Sequence, residues 1–462
     1  MVHIFQNNGY NIVLDVNSGS VHSLDKEGYD VFSAVMKNHD DLRSADKNTA
    51  IKVFKNEIEG SDCEQARETL EELVYLTEND ELFSDAPDIL LEDDLKKARP
   101  VIKALCLHVA HDCNLACRYC FAEEGEYHGK RELMNFHTGK KALDFLISKS
   151  GGRKNLEVDF FGGEPLMNFE VVKEIVAYGR ELEKKAGKHF RFTLTTNGVL
   201  LNTEVNDFLN KEMDNVVLSL DGRREVNDKM RPFRNGSGSY DYIVPKFQSF
   251  VKSRGDKKYY LRGTYTGNNL DFTEDLLHMA DLGFSEISIE PVVTEPKEPY
   301  AIRKEDIPRI CKEYDKLAAI QSQREAKGNC FHFFHFMIDL ESGPCITKRL
   351  KGCGSGTEYL AVAPNGDLYP CHQFVGRDEF LMGNVDAGIV NKEIAERFLS
   401  CSVLTKKECK DCFAKFYCGG GCMANAWNSK GDINAVYGIG CELERKRVEC
   451  ALMLQASRVS PD

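Results

Sequence analysis

The spacing of apolar positions changes twice along this chain, and each change marks a different architecture. Near the start, Tyr10–Asn11–Ile12–Val13–Leu14–Asp15–Val16 is strand-like, Asn17–Ser18–Gly19 is a turn, and Ser20–Val21–His22–Ser23–Leu24 returns, which predicts a hairpin. Asp25 then opens a helix with Val31, Phe32, Val35 and Met36 on one face, and a longer helix is expected over Cys63–Leu76 with Ala66, Leu70, Leu73 and Val74 inward. From about residue 101 to 293, six strand-length runs alternate with helical patterns: Leu105–Val109, Leu156–Phe160, Phe190–Leu194, Val216–Leu220, Tyr259–Thr264 and Glu286–Pro291. One intervening helix, Phe169–Ala186, carries Val172, Ile175, Val176 and Leu182 on a face and stops at Gly187. Regular alternation of this kind predicts an α/β fold with a parallel sheet, rolled into an open or closed barrel whose site lies at the C-terminal strand ends. Residues 301–335 pattern as connecting helix. Beyond them the periodicity gives way to cysteines. Three regions follow: 1–95, 96–335 and 336–462, with Ser84–Asp88 and the acidic run Glu92–Asp93–Asp94 as the first linker.

Charge sharpens the first region. The 462 residues carry a formal net charge of −13, yet residues 1–95 hold 7 Lys/Arg against 22 Asp/Glu, which is −15. An acidic module repels nucleic acid and anionic membrane and attracts basic partners. No apolar run approaches the ~18 residues of a membrane span. The start, Met1–Val2–His3–Ile4–Phe5–Gln6, lacks the build of a signal peptide, so a cytoplasmic location is expected. In a reducing compartment the 17 cysteines are expected to bind metal or clusters rather than pair as disulfides.

The candidate chemistry sits at the strand ends. Cys113, Cys117 and Cys120, spaced C-x3-C-x2-C, follow the first strand. Three thiolates leave one iron of a cubane cluster free to bind a small molecule. A zinc site completed by His111 or His128 is the competing reading. Phe161–Gly162–Gly163–Glu164–Pro165 ends the second strand, Thr195–Thr196–Asn197–Gly198 the third, and Ser219–Leu220–Asp221–Gly222 the fourth. Glycines there let backbone groups approach a ligand amine, Glu164 can accept from an ammonium, Ser219 from a ribose hydroxyl with Asn197 nearby, and Arg231, or its rival Arg234, can pair with a carboxylate. Further on come Cys345, Cys353, Cys371, Cys409, Cys412, Cys418, Cys422 and Cys441. A zinc site from Cys409/Cys412 and Cys418/Cys422 would leave four of these eight unexplained. Cys63, Cys311, Cys330, Cys401 and Cys450 read as packing residues.

The triad, with an aromatic residue before its last cysteine, resembles the signature of the radical-SAM enzymes. The resemblance implies a partial (β/α)6 barrel, S-adenosylmethionine (SAM) as cofactor, and a [4Fe–4S] cluster on Cys113, Cys117 and Cys120 that passes an electron to SAM to give a hydrogen-abstracting 5′-deoxyadenosyl radical. It assigns Tyr119 to the adenine, Gly162, Gly163, Glu164 and Pro165 to the methionine amine, Ser219 to the ribose and Arg231 to the carboxylate. The C-terminal cysteines resemble the SPASM extension of that family, which holds two auxiliary [4Fe–4S] clusters. That likeness implies Cys345, Cys353, Cys371 and Cys422 for the first and Cys409, Cys412, Cys418 and Cys441 for the second. Residues 1–95 resemble the winged-helix-like recognition module fused to peptide-modifying enzymes. The whole order is similar to the maturases of ribosomally made peptides, and the opening Asn8–Gly9–Tyr10–Asn11–Ile12–Val13–Leu14–Asp15–Val16–Asn17–Ser18–Gly19 with Tyr369–Pro370–Cys371–His372–Gln373–Phe374 resembles those that cross-link SCIFF peptides.

The activity so implied is formation of thioethers between cysteine sulfurs and carbons of other residues in a Cys-rich precursor peptide. A basic leader gripped by residues 1–95 and an electron donor of flavodoxin or ferredoxin type are the expected partners. The sulfatase-maturing oxidases are the alternative; they place Asp after the cysteine that here is Cys371, where this chain has His372. A zinc-stabilised binding protein without catalysis is the alternative of another class.

Overall fold

Strand-forming alternation and helix caps explain the first region. The structure, a computed structural model, describes residues 1–85, 101–340 and 346–459. The acidic run Glu92–Asp94, most of the expected linker before it and Cys345 lie outside the described residues. The expected hairpin forms, with Tyr10–Asp15 antiparallel to Val21–Leu24. A third strand, Val2–Asn7, was not foreseen; it pairs with Tyr10–Asp15 through a two-residue turn, Asn8–Gly9. Both turn residues have positive φ, 49° and 88°, as a tight hairpin of matching twist requires. Three helices follow: Lys26–Asn38, Lys47–Gly60 and Glu64–Glu78. Asp25 and Asp46 cap the first two by accepting from the amides of Gly28 and Thr49. The second helix was not foreseen either, and Cys63 caps the third instead of belonging to it.

The period of two gives this sheet two apolar faces. Val2 and Val13 pack on the three helices with Phe32, Phe54 and Phe83, while Phe5, Ile12, Leu14 and Val16 join the main core of the protein. That second face rests on the C-terminal helix Gly438–Val459. His3 Nε2 lies 3.1 Å from Glu449 on that helix, and Asn7 donates to Asp315 on the neighbouring helix Ile307–Ala326.

All six expected barrel strands are present, as Ala104–His111, Asn155–Gly162, His189–Thr196, Asn215–Ser219, Tyr259–Tyr265 and Glu286–Pro291. They lie side by side in chain order, every neighbouring pair parallel. Outward positions such as Leu105, Val158, Phe192 and Leu261 are buried against helices. Inward positions are polar, so register stacks Ser219, Arg262 and Ser288 side by side on the lumen face. The sheet stays open as a path with two ends. His332–Phe333 extends one end, and Tyr359–Val362 adds parallel to the first strand at the other. The cysteine-rich region therefore begins as a continuation of the barrel sheet. A register shift between His108 and Ala110 bends the first strand into the cysteine loop.

The connecting helix is Ile307–Ala326, and Cys311 is half-buried on it. Cys330, expected to be buried, is exposed, because it follows the helix-ending turn at Gly328. Cys401 and Cys450 are buried. No helix among the described residues is long and apolar enough to cross a membrane.

Candidate active site

Each rim motif is held by the end of the strand before it, and together they enclose one cavity. Every residue assigned to the triad and to SAM lines it: Cys113, Cys117, Cys120, Tyr119, Gly162, Gly163, Glu164, Pro165, Asn197, Ser219 and Arg231. The two glycines have a reason other than ligand access. A Cβ at Gly162, where φ is +127°, would lie 2.3 Å from the Ala110 carbonyl oxygen, and one at Gly163 would lie 2.1 Å from that of Asp112. The second strand turn thus packs directly under the cysteine loop, joined by Gly163 N–H to Ala110 (2.7 Å) and Glu164 N–H to Asp112 (2.9 Å). The Gly162 carbonyl accepts from the Tyr127 hydroxyl.

Glu164 is almost wholly buried, and both its oxygens are engaged. It accepts from the Thr196 hydroxyl (2.8 Å) and from the amides of Asn197 (2.8 Å) and Leu166 (3.0 Å). Burial lifts its carboxyl to about 7, against the pull of those donors. Asn197 in turn donates to Asn114 (2.7 Å) and reaches Cys113 Sγ at 3.7 Å. Arg234 is committed to Asp112 at 2.8 Å, which leaves Arg231 as the cavity's guanidinium. The zinc candidates are committed too: His111 bonds to His108 and stacks on Tyr127, and His128 pairs with Glu123.

Burial, with Glu164 next, pushes the Cys113 thiol up to about 12; burial raises Cys117 to about 11 against the pull of Arg231. Buried thiols of this kind release their protons only to a bound cation, so the donor set suits a thiolate-ligated metal group. Among the described residues no three Cys, His, Asp or Glu side chains are close enough to hold a single metal ion. The thiols instead face shared cavities.

The remaining cysteines gather in two sets. Burial, then Cys422 and Cys353 nearby, pushes the Cys371 thiol up, and Cys353 adds to the burial that raises Cys422. Cys409, Cys412, Cys418 and Cys441 line a separate cavity. The sequence likeness grouped them in the same way, with Cys345 in the first set, and Cys422 also lines a further cavity with Cys418 and Cys441. The first set lies close to the triad: Phe121 and Phe161, which line the triad cavity, both pack on the His372 ring. The His372 Nδ1 is 3.4 Å from the Tyr359 hydroxyl.

Sequence reasoning missed the charged group farther along the lumen. Glu290 meets His335 at 3.5 Å, Arg447 at 3.8 Å and Arg262 at 3.9 Å. Burial would raise its carboxyl, but these three neighbours outweigh that and hold it down at about 2. Four separate segments supply the group, so no local pattern announces it.

The comparisons accord with this geometry. Residues 103–245 match the model of a 4Fe-4S single cluster domain, and residues 353–413 match SPASM, an iron-sulfur cluster-binding domain. A protein of Methanocaldococcus jannaschii without assigned function is 30% identical over 218 residues, covering 47% of this chain and 70% of that one. A cysteine-type anaerobic sulfatase-maturating enzyme of Clostridium novyi is 24% identical, covering 68% of this chain and 86% of that one. Among solved structures, anSMEcpe with bound AdoMet and Cp18Cys peptide matches 77% of this chain and 99% of its own (TM-score 0.63, 19% identity). Streptococcus suis SuiB bound to precursor peptide SuiA matches 93% of this chain and 96% of its own (TM-score 0.51, 15% identity).

Proposed function

Because the chain belongs to the radical-SAM proteins that carry a SPASM domain, we propose that it is a peptide-modifying enzyme that forms thioether bridges within a Cys-rich precursor peptide. Cys113, Cys117 and Cys120 hold the SAM-binding [4Fe–4S] cluster. Cys353, Cys371 and Cys422, with Cys345, hold the first auxiliary cluster, and Cys409, Cys412, Cys418 and Cys441 the second. When bound, these groups supply a 5′-deoxyadenosyl radical that takes a hydrogen atom from carbon, and an acceptor for the electron released as the C–S bond forms.

The protein's own residues orient these events. Gly162 and Gly163 bring the second strand turn against the cysteine loop, and Glu164 locks the Thr196–Asn197 turn beside it. Ser219 and Arg231 offer a hydroxyl and a guanidinium to the ribose and carboxylate of SAM. Phe121 and Phe161 line the triad cavity and pack on the ring of His372, the neighbour of Cys371, which suits a substrate sulfur handled on that side of the abstracted hydrogen.

That contact of cavity-lining rings with His372 is the observation that carries the reading. The leader of the precursor adds to the edge of Val21–Leu24, which among the described residues is paired on one side only. The acidic charge of residues 1–95 selects a basic leader. The SuiB likeness, which extends over 93% of the chain, fits an enzyme with such an added module.

Sulfatase maturation is the second reading, favoured by the Clostridium novyi relative. His372 after Cys371, and the acidic charge of residues 1–95, weigh against it. Co-expression with short Cys-rich peptides encoded nearby decides between them by mass spectrometry. A thioether makes the peptide lighter by two hydrogens per bridge and blocks alkylation of one cysteine. Formylglycine formation instead leaves an aldehyde that reacts with hydrazine. An unmodified pool of peptides would refute the first reading.

A further inference from the structure

The turn Ser219–Leu220–Asp221–Gly222 contributes more to the cavity than Ser219. Asp221 is 1% exposed, and its carboxylate accepts from the Tyr119 hydroxyl at 2.8 and 2.7 Å and from the Thr264 amide at 3.0 Å. The same hydroxyl accepts from Arg231 Nη1 at 2.8 Å. It therefore stands between a buried carboxylate and a buried guanidinium, donating to the one and accepting from the other. Arg231 is 8% exposed, its Nε has no hydrogen-bond partner among the described residues, and it lines the triad cavity.

The surroundings fix Asp221 in this role. Gly222 has φ +116°, and a Cβ there would lie 2.3 Å from the Asp275 side chain. Arg223 pairs with that same Asp275 at 2.8 Å, which locks the turn from behind. A charged side chain buried this completely has nowhere else to find a partner.

We propose that Asp221 is a positioning residue for SAM: acting through the Tyr119 hydroxyl, it fixes Arg231 so that the guanidinium meets the carboxylate of the cofactor. This rests on the reading of the cavity as the SAM site. It gives Tyr119 a task for its oxygen that is separate from any contact of its ring. Without Asp221 or that oxygen, Arg231 keeps its charge but loses its fixed direction, and the bonus for a carboxylate on the ligand disappears.

The test compares two ligands on anaerobically reconstituted full-length protein. The probes are SAM and its decarboxylated analogue, and the readouts are Kd by equilibrium dialysis and the EPR change of the reduced cluster on ligand addition. Wild type should prefer SAM by about tenfold or more, the worth of one charge-assisted contact. Tyr119→Phe and Asp221→Asn should each erase most of that preference by weakening SAM alone, with iron content and visible spectrum unchanged. The double variant should lose no more than the worse single one, because the two residues act as a unit. Tyr119→Phe removes one oxygen and carries the test by itself if Asp221→Asn does not fold. Variants that retain the wild-type preference, or losses that multiply in the double variant, would overturn the proposal. Iron-loaded wild type that binds neither ligand would overturn the SAM-site reading, and the proposal with it.

Discussion

Replacing Gly163 by Ala should disable the site through backbone crowding alone. An added Cβ would lie 2.1 Å from the Asp112 oxygen and 2.5 Å from its carbonyl carbon. Ordinary contact begins near 3.4 Å, so the two backbones must part by about 1.3 Å. Neither can yield freely. Glu164 N–H is bonded to that same Asp112 oxygen, and the Asp112 side chain holds the Cys113 amide at 2.9 Å and Arg234 at 2.8 Å. The displacement passes straight to the first cysteine of the triad. Overpacking of this kind costs about 1–3 kcal/mol of stability. A misplacement on the order of 1 Å costs on the order of 10²-fold in rate. The assay is 5′-deoxyadenosine formation under anaerobic conditions, with dithionite as reductant and iron content measured on the same sample. Gly152→Ala is the control, since its Cβ meets open space, and it should change stability by no more than about 0.5 kcal/mol. A Gly163→Ala protein that loads iron and forms 5′-deoxyadenosine at the wild-type rate would refute the reasoning.

Cys412→Ala should leave SAM cleavage intact yet lower the ratio of cross-linked peptide to 5′-deoxyadenosine, because Cys412 lines a cavity separate from the triad; an unchanged ratio in soluble, iron-loaded variant removes that role. A labelled Lys-rich leader should bind the full-length protein more slowly as salt rises from about 0.05 to about 0.5 M, and equal binding of a charge-reversed leader would contradict the steering argument. Asp159 in the lumen is lifted to about 7 by burial, then by Glu157, against a hydrogen bond from Thr193. With a raised carboxyl the stabilising contribution is full below the ordinary value near ~3.9 and is lost as pH rises through about 7. The infrared carbonyl band of protonated carboxyls should fade across that upper range in wild type, and Asp159→Asn should remove the Asp159 component while leaving that of Glu164; a band unchanged by the substitution would refute the assignment.

The six barrel strands were legible because their outward residues form unbroken apolar sets that only a helix-covered sheet can bury. The partition of the cysteines came from the likeness to the SPASM extension, and the sequence could not show that Phe121 and Phe161 pack on His372, the neighbour of Cys371. The strand Val2–Asn7 was missed because His3, Gln6 and Asn7 dilute its pattern; its signal was the Asn8–Gly9 turn. The glycines at 162 and 163 were assigned to the ligand, whereas a neighbouring backbone requires them, a contact between segments some fifty residues apart. The Glu290 group was beyond reach for the same reason, since Arg447 comes from the last helix.

The most direct test of the account is reductive SAM cleavage by the reconstituted protein and its Cys117→Ala variant, each with the precursor peptide found by co-expression. The account predicts 5′-deoxyadenosine and a peptide lighter by two hydrogens per bridge from the wild type, and neither product from the variant. SAM cleavage that persists in Cys117→Ala, or bridge formation without 5′-deoxyadenosine, would contradict it.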